Sequence, residues 1–388
     1  MQATQSTQVA QSAQGDNVQS ARIGMPTPFA SPKPAIVPAP PGAPAPPIAR
    51  PTVAPAVPPT GTNPLYDPPA GTYPNFPQSQ FLQRLPLTPT VNANTAAWLA
   101  KLGTLGFGNL QFAANAAGAM QDYGFPIYRT AYGANAMPVK IHCTEPWGKC
   151  KVEGTTVYLD ARERPQDGGN PGHDSHLAIV DTQTGLEYDF WGTQWPPKNG
   201  ILNVAWGGSC PLSGQGYASC SATSSGTALS IGIIRAKDLA AAVQTGGTLP
   251  YALQSGVKCS NGFVAPLTSS DGKTAGCPPQ GSRLYLAMHD ADVNATAASG
   301  IVKAIMRTID EDHYGMFITD TSGGENGFSL IAENDVSYTA EGLPAPFVNQ
   351  IVPLAQSEGM SGTTPSNNLY YIPLTTTGID LPSMLKFL

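Results

Sequence analysis

Residues 173–191 constrain the fold most, because two runs of alternating residues flank a short loop that ends in glycine. This pattern is typical of a β-hairpin. If Asp181 pairs with Leu186 across the loop, one face collects four apolar side chains: Leu177, Ile179, Tyr188 and Phe190. A slip of one residue would mix apolar and polar side chains on each face, so the pattern predicts this register and a core face.

The opposite face of this predicted hairpin carries ionisable and aromatic side chains. His176 lies opposite Trp191, and Asp189 and Glu187 follow on the same face. Such neighbours are about 5 Å apart directly across two strands and about 7–8 Å apart on the diagonal. A carboxylate beside an imidazole can tune a general base, and two carboxylates can cleave a glycosidic bond. The alternative is a half-buried sheet face with a structural His–carboxylate pair.

Further residues could complete a polysaccharide site around this hairpin. Three tryptophans offer flat apolar surfaces to sugar rings: Trp191, Trp195 and Trp206. Arg283 and Tyr285 share one face of a predicted strand over residues 282–288, and with His176 they match the needs of a β-elimination on a uronate. An arginine that pairs with a surface carboxylate is the alternative.

Two other chemistries receive less support from the sequence. His173, Asp174 and His176 are spaced as metal ligands can be, and Asp181 could add an oxygen. No further ligand has convincing spacing, so we predict neither a metal nor another cofactor. The residues around His176 are also similar to the histidine strand of papain-like cell-wall peptidases. That reaction needs a nucleophilic cysteine at a helix N-terminus, and the sequence offers none in such a context.

The composition indicates an extracellular β-rich protein. Charged residues make up 12% of the 388 residues, about half the usual share, whereas 41 glycines and 39 prolines make up about a fifth. The net charge of −6 argues against nucleic acid as a partner, because no basic stripe is available for phosphates. No apolar run reaches the ~18 residues of a membrane span. The first residues lack the apolar core of a signal peptide, so the export route is not visible.

The six cysteines form three pairs that are close in sequence: Cys143 with Cys150, Cys210 with Cys220, and Cys259 with Cys277. None has the C-x-x-C spacing of a zinc or redox site. We therefore predict three local disulfides and an oxidising compartment. Six buried free thiols in a reducing compartment are the alternative.

Composition and turn signals divide the chain into three parts. Residues 1–75 are predicted to be a disordered Pro/Ala-rich linker or stalk. Residues 76–340 are predicted to form a β-rich domain held by disulfides, and residues 341–388 an irregular extension packed on it. Many short strands with turn residues between them predict a mainly-β fold, like a β-sandwich or jelly roll, with a few peripheral helices. An α+β layered fold is the alternative.

Six motifs together resemble a group of secreted bacterial proteins of largely unassigned activity. The motifs are H-x-x-x-V-D (176–181), Y-D-F-W (188–191), I-I-R-A-x-x-L (233–239), Y-A-L (251–253), Q-G-S-R-L (280–284) and Y-G-M-F-x-x-D (314–320). The resemblance covers about residues 75–340 and implies an exported domain, but it implies no reaction or catalytic residues. The sequence departs from the group where Tyr251 replaces an expected histidine.

These observations favour a secreted carbohydrate-active protein that cleaves a glycosidic bond in a polysaccharide, as a hydrolase or a lyase. The alternative is a non-catalytic extracellular protein that binds glycans or has a structural role at the cell surface. In both cases the expected partner is a polysaccharide or a cell-surface glycan. The sequence names neither the sugar nor the oligomeric state.

Overall fold

The computed structural model describes residues 75–103, 105–113, 124–130, 136–169, 173–218, 220, 222–321, 327–360, 369–376 and 378–388. These residues form fourteen strands and seven α-helices, so the predicted mainly-β fold with a few helices is confirmed. The predicted linker over residues 1–75 lies outside the described residues except for its last residue.

The strands are short. They are β1 (Asn109–Ala113), β2 (Ile127–Thr130), β3 (Ala136–Cys143), β4 (Thr156–Asp160), β5 (Leu177–Asp181), β6 (Leu186–Trp191), β7 (Ile201–Val204), β8 (Trp206–Pro211), β9 (Leu253–Val257), β10 (Arg283–Leu286), β11 (Met316–Thr321), β12 (Ser329–Leu330), β13 (Leu369–Pro373) and β14 (Leu385–Phe387). The helices are α1 (Thr95–Leu102), α2 (Ala236–Thr245), α3 (Asp290–Ala295), α4 (Gly300–Ile309), α5 (Val336–Thr339), α6 (Val352–Ser357) and α7 (Leu381–Met384). A π-helical turn, Phe347–Ile351, leads directly into α6.

Two sheets share one hydrophobic core and form a β-sandwich. The first sheet has the order β2-β5-β6-β8 and the second the order β4-β3-β7. Leu177 and Phe190 of the first sheet belong to the same buried cluster as Ile141, Leu159 and Val204 of the second. Side chains that alternate along these strands therefore meet between the two sheets.

Strands β5 and β6 form the predicted hairpin. Asp181 lies opposite Leu186, Ile179 opposite Tyr188 and Leu177 opposite Phe190. The four apolar side chains of the predicted core face are all buried in the sandwich. The register and the core face predicted from alternation are thus confirmed.

A five-stranded sheet of order β12-β9-β11-β10-β14 forms a second layered region with helices. Ile305 of α4 and Leu239 of α2 belong to the same hydrophobic cluster as Leu253, Leu284 and Ile318 of this sheet. Strands β9 and β11 run parallel, although they are far apart in sequence. Helices therefore cover this sheet, whereas in the sandwich a sheet covers a sheet.

The C-terminal residues are more regular than predicted. We expected an irregular extension over residues 341–388, but α6, β13, α7 and β14 lie there. Strand β14 pairs antiparallel with β10 and buries Leu385 and Phe387. A strand of three residues takes its conformation from its partner strand rather than from its own alternation, so the local pattern could not reveal it.

The three disulfides have the predicted local pairing, 143–150, 210–220 and 259–277. All six cysteines are therefore bonded, which leaves no thiol for the peptidase chemistry considered above. Such bonds are compatible with an oxidising extracellular compartment. Among the described residues, no helix is long and apolar enough to cross a membrane.

Candidate functional site

The carboxylates of Glu187 and Asp189 are buried under the chain that follows β8. Neither residue has exposed surface. The backbone N–H of Leu229 donates to Asp189 Oδ2 at 3.0 Å. Ser230 donates its backbone N–H to Glu187 Oε1 at 3.1 Å and its hydroxyl to Oε2 at 2.5 Å. The polar face of the hairpin is therefore closed to solvent at these two residues.

Burial and mutual repulsion favour a single proton shared by these two carboxyl groups. Burial raises the pKa of Asp189 well above its usual value, and the charge of Glu187 raises it further. Burial also raises the pKa of Glu187, while hydrogen bonds from Ser230 and from Asp189 lower it. Asp189 Oδ1 is buried and accepts no hydrogen bond from the described residues. It can form one only as a protonated hydroxyl that donates to a neighbouring acceptor. We therefore assign the proton to Asp189, which donates it to the Glu187 carboxylate.

The imidazole of His176 engages Gln166 rather than either carboxylate. Its Nδ1 lies 2.9 Å from Gln166 Oε1, and its ring centroid lies 4.7 Å from that of Phe125. Burial lowers the pKa of His176 to about 4, so the ring is neutral at pH 7. The β5–β6 ladder ends at Leu177, and the Trp191 indole N–H donates to Asp174 Oδ1 at 3.0 Å. The predicted imidazole–carboxylate pair is thus not among the contacts of His176.

Arg283 and Tyr285 lie on β10, in the five-stranded sheet rather than in the sandwich. The Arg283 Nε–H donates to the carbonyl of Tyr314 at 2.8 Å, and its guanidinium lies 5.1 Å from the ring centroid of Phe317. Arg283 also lines a cavity of about 320 Å³ together with Trp98 and Phe317. Tyr285 is buried, which raises its pKa. The structure therefore does not join these two residues to the hairpin carboxylates.

Three indole rings meet at the surface of the sandwich. Trp191 and Trp206 lie directly opposite each other across β6 and β8. The ring centroid of Trp147 is 5.4 Å from that of Trp191 and 6.0 Å from that of Trp206. Trp147 is 53% exposed, whereas the other two rings are half-buried. We refer to Trp147, Trp191 and Trp206 as the tryptophan cluster.

The loop between β3 and β4 positions Trp147 in this cluster. The Cys143–Cys150 disulfide closes this loop, and the Glu153 carboxylate accepts the backbone N–H of Cys143 at 2.6 Å. A closed loop of this length restricts the positions that Trp147 can reach. The available sequence signal was a single tryptophan in a polar loop between two paired cysteines, and it was not used in the prediction.

The other residues considered from the sequence have local partners. Trp195 lies apart from the cluster, with the Arg164 guanidinium 5.4 Å from its ring centroid. His173 Nδ1 lies 3.3 Å from Asp167 Oδ2. Asp181 Oδ1 accepts backbone N–H groups of the hairpin turn. These contacts give Trp195, His173 and Asp181 structural roles in the fold.

The hairpin thus carries a buried carboxylate pair and contributes Trp191 to the tryptophan cluster, whose other rings come from the β3–β4 loop and from β8. The resemblance to a group of secreted bacterial proteins stays a prediction. Comparisons of the chain with models of protein families, with curated proteins and with solved structures find no match.

Proposed function

We propose that this protein is an extracellular glycan-binding protein that holds a sugar chain on the tryptophan cluster without cleaving it. One observation carries the proposal: the ring centroids of Trp191 and Trp206 lie 5.4 and 6.0 Å from that of Trp147, and Trp191 and Trp206 are cross-strand neighbours. Flat apolar rings with a polar N–H at the rim suit ligands that have both apolar faces and hydroxyl groups. A contiguous apolar patch at a protein surface marks an interaction site, and here the exposed ring of Trp147 continues into two half-buried indoles.

A polar group lies at the edge of this aromatic surface. The exposed carboxylate of Asp174 accepts the indole N–H of Trp191 at 3.0 Å. This hydrogen bond fixes the carboxylate beside the ring, and an ionised carboxylate has further lone pairs for sugar hydroxyls. Stacking on the rings would supply affinity, and the carboxylate would supply orientation.

The surroundings of the predicted catalytic carboxylates favour binding over cleavage. A general acid and a nucleophile must both reach the scissile bond. Glu187 and Asp189 are fully buried, and hydrogen bonds from residues 229 and 230 occupy three of their four oxygens. These contacts support a structural role for the pair.

The proposal includes secretion. Three disulfides stabilise a protein best where thiols are oxidised. The Pro/Ala-rich composition of residues 1–75 suits a semi-rigid spacer that would hold the binding domain away from an attachment point.

Calorimetric titration of the full chain with a panel of neutral and acidic oligosaccharides tests this proposal. We expect at least one oligosaccharide to bind, and we expect Trp147→Ala to weaken that binding at least tenfold, about 1.4 kcal/mol. Phe263→Ala is the matched control, because Phe263 is 52% exposed and Trp147 is 53% exposed. The control should bind with wild-type affinity.

Reducing ends and unsaturated products are measured in the same mixtures. Absence of binding across the panel, or equal binding by Trp147→Ala and the wild type, would refute the proposal. Product formation that Glu187→Gln abolishes would favour the enzyme instead.

A further inference from the structure

Asp290, Asp310 and His313 meet near the end of α4, away from the tryptophan cluster. Asp290 is the first residue of α3, Asp310 follows the last residue of α4, and His313 lies in the turn before β11. His313 Nδ1 is 2.7 Å from Asp310 Oδ1 and 3.8 Å from Asp290 Oδ1. One candidate ligand atom from each residue lies within 4.8 Å of the others.

Two carboxylate oxygens in this group are buried without a hydrogen bond. Asp310 is fully buried, and its Oδ2 has no hydrogen-bond partner among the described residues. Asp290 Oδ1 is likewise buried without one, although the side chain as a whole is 50% exposed. For the fully buried Asp310, a carboxylate oxygen that lacks a donor costs several kcal/mol of desolvation unless a cation compensates it.

The surrounding charges do not supply that compensation. Both nitrogens of the neighbouring His289 are engaged elsewhere, Nε2 with Glu311 at 3.0 Å and Nδ1 with Asp312 at 3.1 Å. Arg84, whose charge acts on His313, lies over the ring of Tyr314 and donates to the carbonyl of Asp312. The environment of the group is therefore rich in carboxylates.

We propose that Asp290, Asp310 and His313 bind a divalent transition-metal ion of the Zn²⁺ type. One imidazole nitrogen and two carboxylate oxygens form a ligand set that such ions accept, whereas Ca²⁺ and Mg²⁺ prefer oxygen ligands alone. With bonds of about 2.1 Å, two ligand atoms in a tetrahedral site lie about 3.4 Å apart. The observed separations of 2.7 and 3.8 Å lie on either side of that value.

Metal binding would replace the proton between His313 Nδ1 and Asp310 Oδ1. The Nδ1 lone pair would become a metal ligand, the proton would leave to solvent, and water from the exposed side of Asp290 would complete the coordination. The ion would join α3 to the turn between α4 and β11. Its role would therefore be to hold these segments together.

Titration of tag-free, chelator-treated full-length protein with Zn²⁺ tests this site, with Ca²⁺ and Mg²⁺ in parallel. We expect one equivalent of Zn²⁺ to bind at least tenfold more tightly than Ca²⁺ or Mg²⁺. A hundredfold excess over Kd should raise Tm by at least about 4 °C. His313→Ala should abolish the high-affinity binding, and Asp290→Asn should weaken it at least tenfold.

Asp290→Asn keeps the test informative if His313→Ala does not fold, because Asp290 is half-exposed. His142→Ala is the control, since His142 is an exposed histidine whose Nδ1 lies 3.4 Å from Glu153. Wild-type affinity in Asp290→Asn, tighter binding of Ca²⁺ than of Zn²⁺, or an equal loss in His142→Ala would each overturn the proposal.

Discussion

Two carboxylate pairs in this protein contain the same chemical groups in different surroundings. Glu187 and Asp189 lie in the sandwich, and Asp290 and Asp310 lie at the end of α4. Both pairs have buried oxygens without a hydrogen-bond partner in the described residues: Oδ1 of Asp189 in the first, and Oδ1 of Asp290 and Oδ2 of Asp310 in the second. The sandwich pair receives backbone and hydroxyl donors and is sealed, whereas the second pair has an imidazole and one half-exposed member.

This difference shows that residue type and sequence spacing do not by themselves identify a functional site. The sealed pair can satisfy its oxygens by sharing one proton, which makes it a structural element. At the second pair we propose that an ion from solvent replaces the proton between His313 and Asp310, with access through the partly exposed Asp290. Access and hydrogen-bond donors distinguish the two, and both are properties of the tertiary structure.

Removal of Glu187 should have the largest effect on stability. Glu187→Ala leaves the Asp189 carboxyl and two groups of Ser230 buried without their partner, so we expect a loss of about 3 kcal/mol in the free energy of unfolding. Denaturant unfolding measures it. The control Glu153→Ala removes a carboxylate whose side chain is 51% exposed and should cost about 1 kcal/mol or less. Equal losses of unfolding free energy in both variants would contradict the structural role of the buried Glu187–Asp189 pair.

Replacement of Asp189 should have a smaller effect that depends on pH. In Asp189→Asn the amide can donate to Glu187 and accept from Leu229, so the loss at pH 4 should not exceed about 1 kcal/mol. The raised pKa of Asp189 stabilises the wild type fully below its unfolded pKa of about 4, and this contribution is lost as pH rises through the folded pKa. The variant should therefore become more stable relative to the wild type between pH 4 and pH 8. A stability difference that stays constant over this range would argue against the shared proton.

Replacement of Asp290 should have the smallest effect when no metal is present. The side chain is half-exposed, and its nearest charged partner in the group, His313, is 3.8 Å away. We expect Asp290→Asn to change the unfolding free energy of metal-free protein by about 0.5 kcal/mol or less. Chemical unfolding in chelator measures this change. A loss as large as that of Glu187→Ala would mean that the two pairs have the same structural role.

Features that depend on nearby residues could be predicted. The β5–β6 register follows from alternation around one turn. The disulfides were predictable because each pair closes a short loop. The burial of Leu284 and Leu286 on one face of β10 likewise follows from strict alternation.

Features that depend on distant residues could not be predicted. Strands β2 and β5 pair in parallel across about fifty residues, and β10 pairs with β14 across about a hundred. The cover of Glu187 and Asp189 comes from residues 229 and 230, which show no pattern that links them to the hairpin. Trp147 joins the tryptophan cluster only because its loop packs beside β6 and β8.

The sequence by itself determined which side chains share each face of the central hairpin, since a strand alternates its side chains with a period of two. It also determined the local disulfides and the mainly-β character of the chain. The tertiary structure decided which of those faces meets solvent. The carboxylates that alternation placed together became buried, while three tryptophans from separate segments met at the surface with Trp147 exposed and the other two half-buried, because packing between distant segments governs access to water.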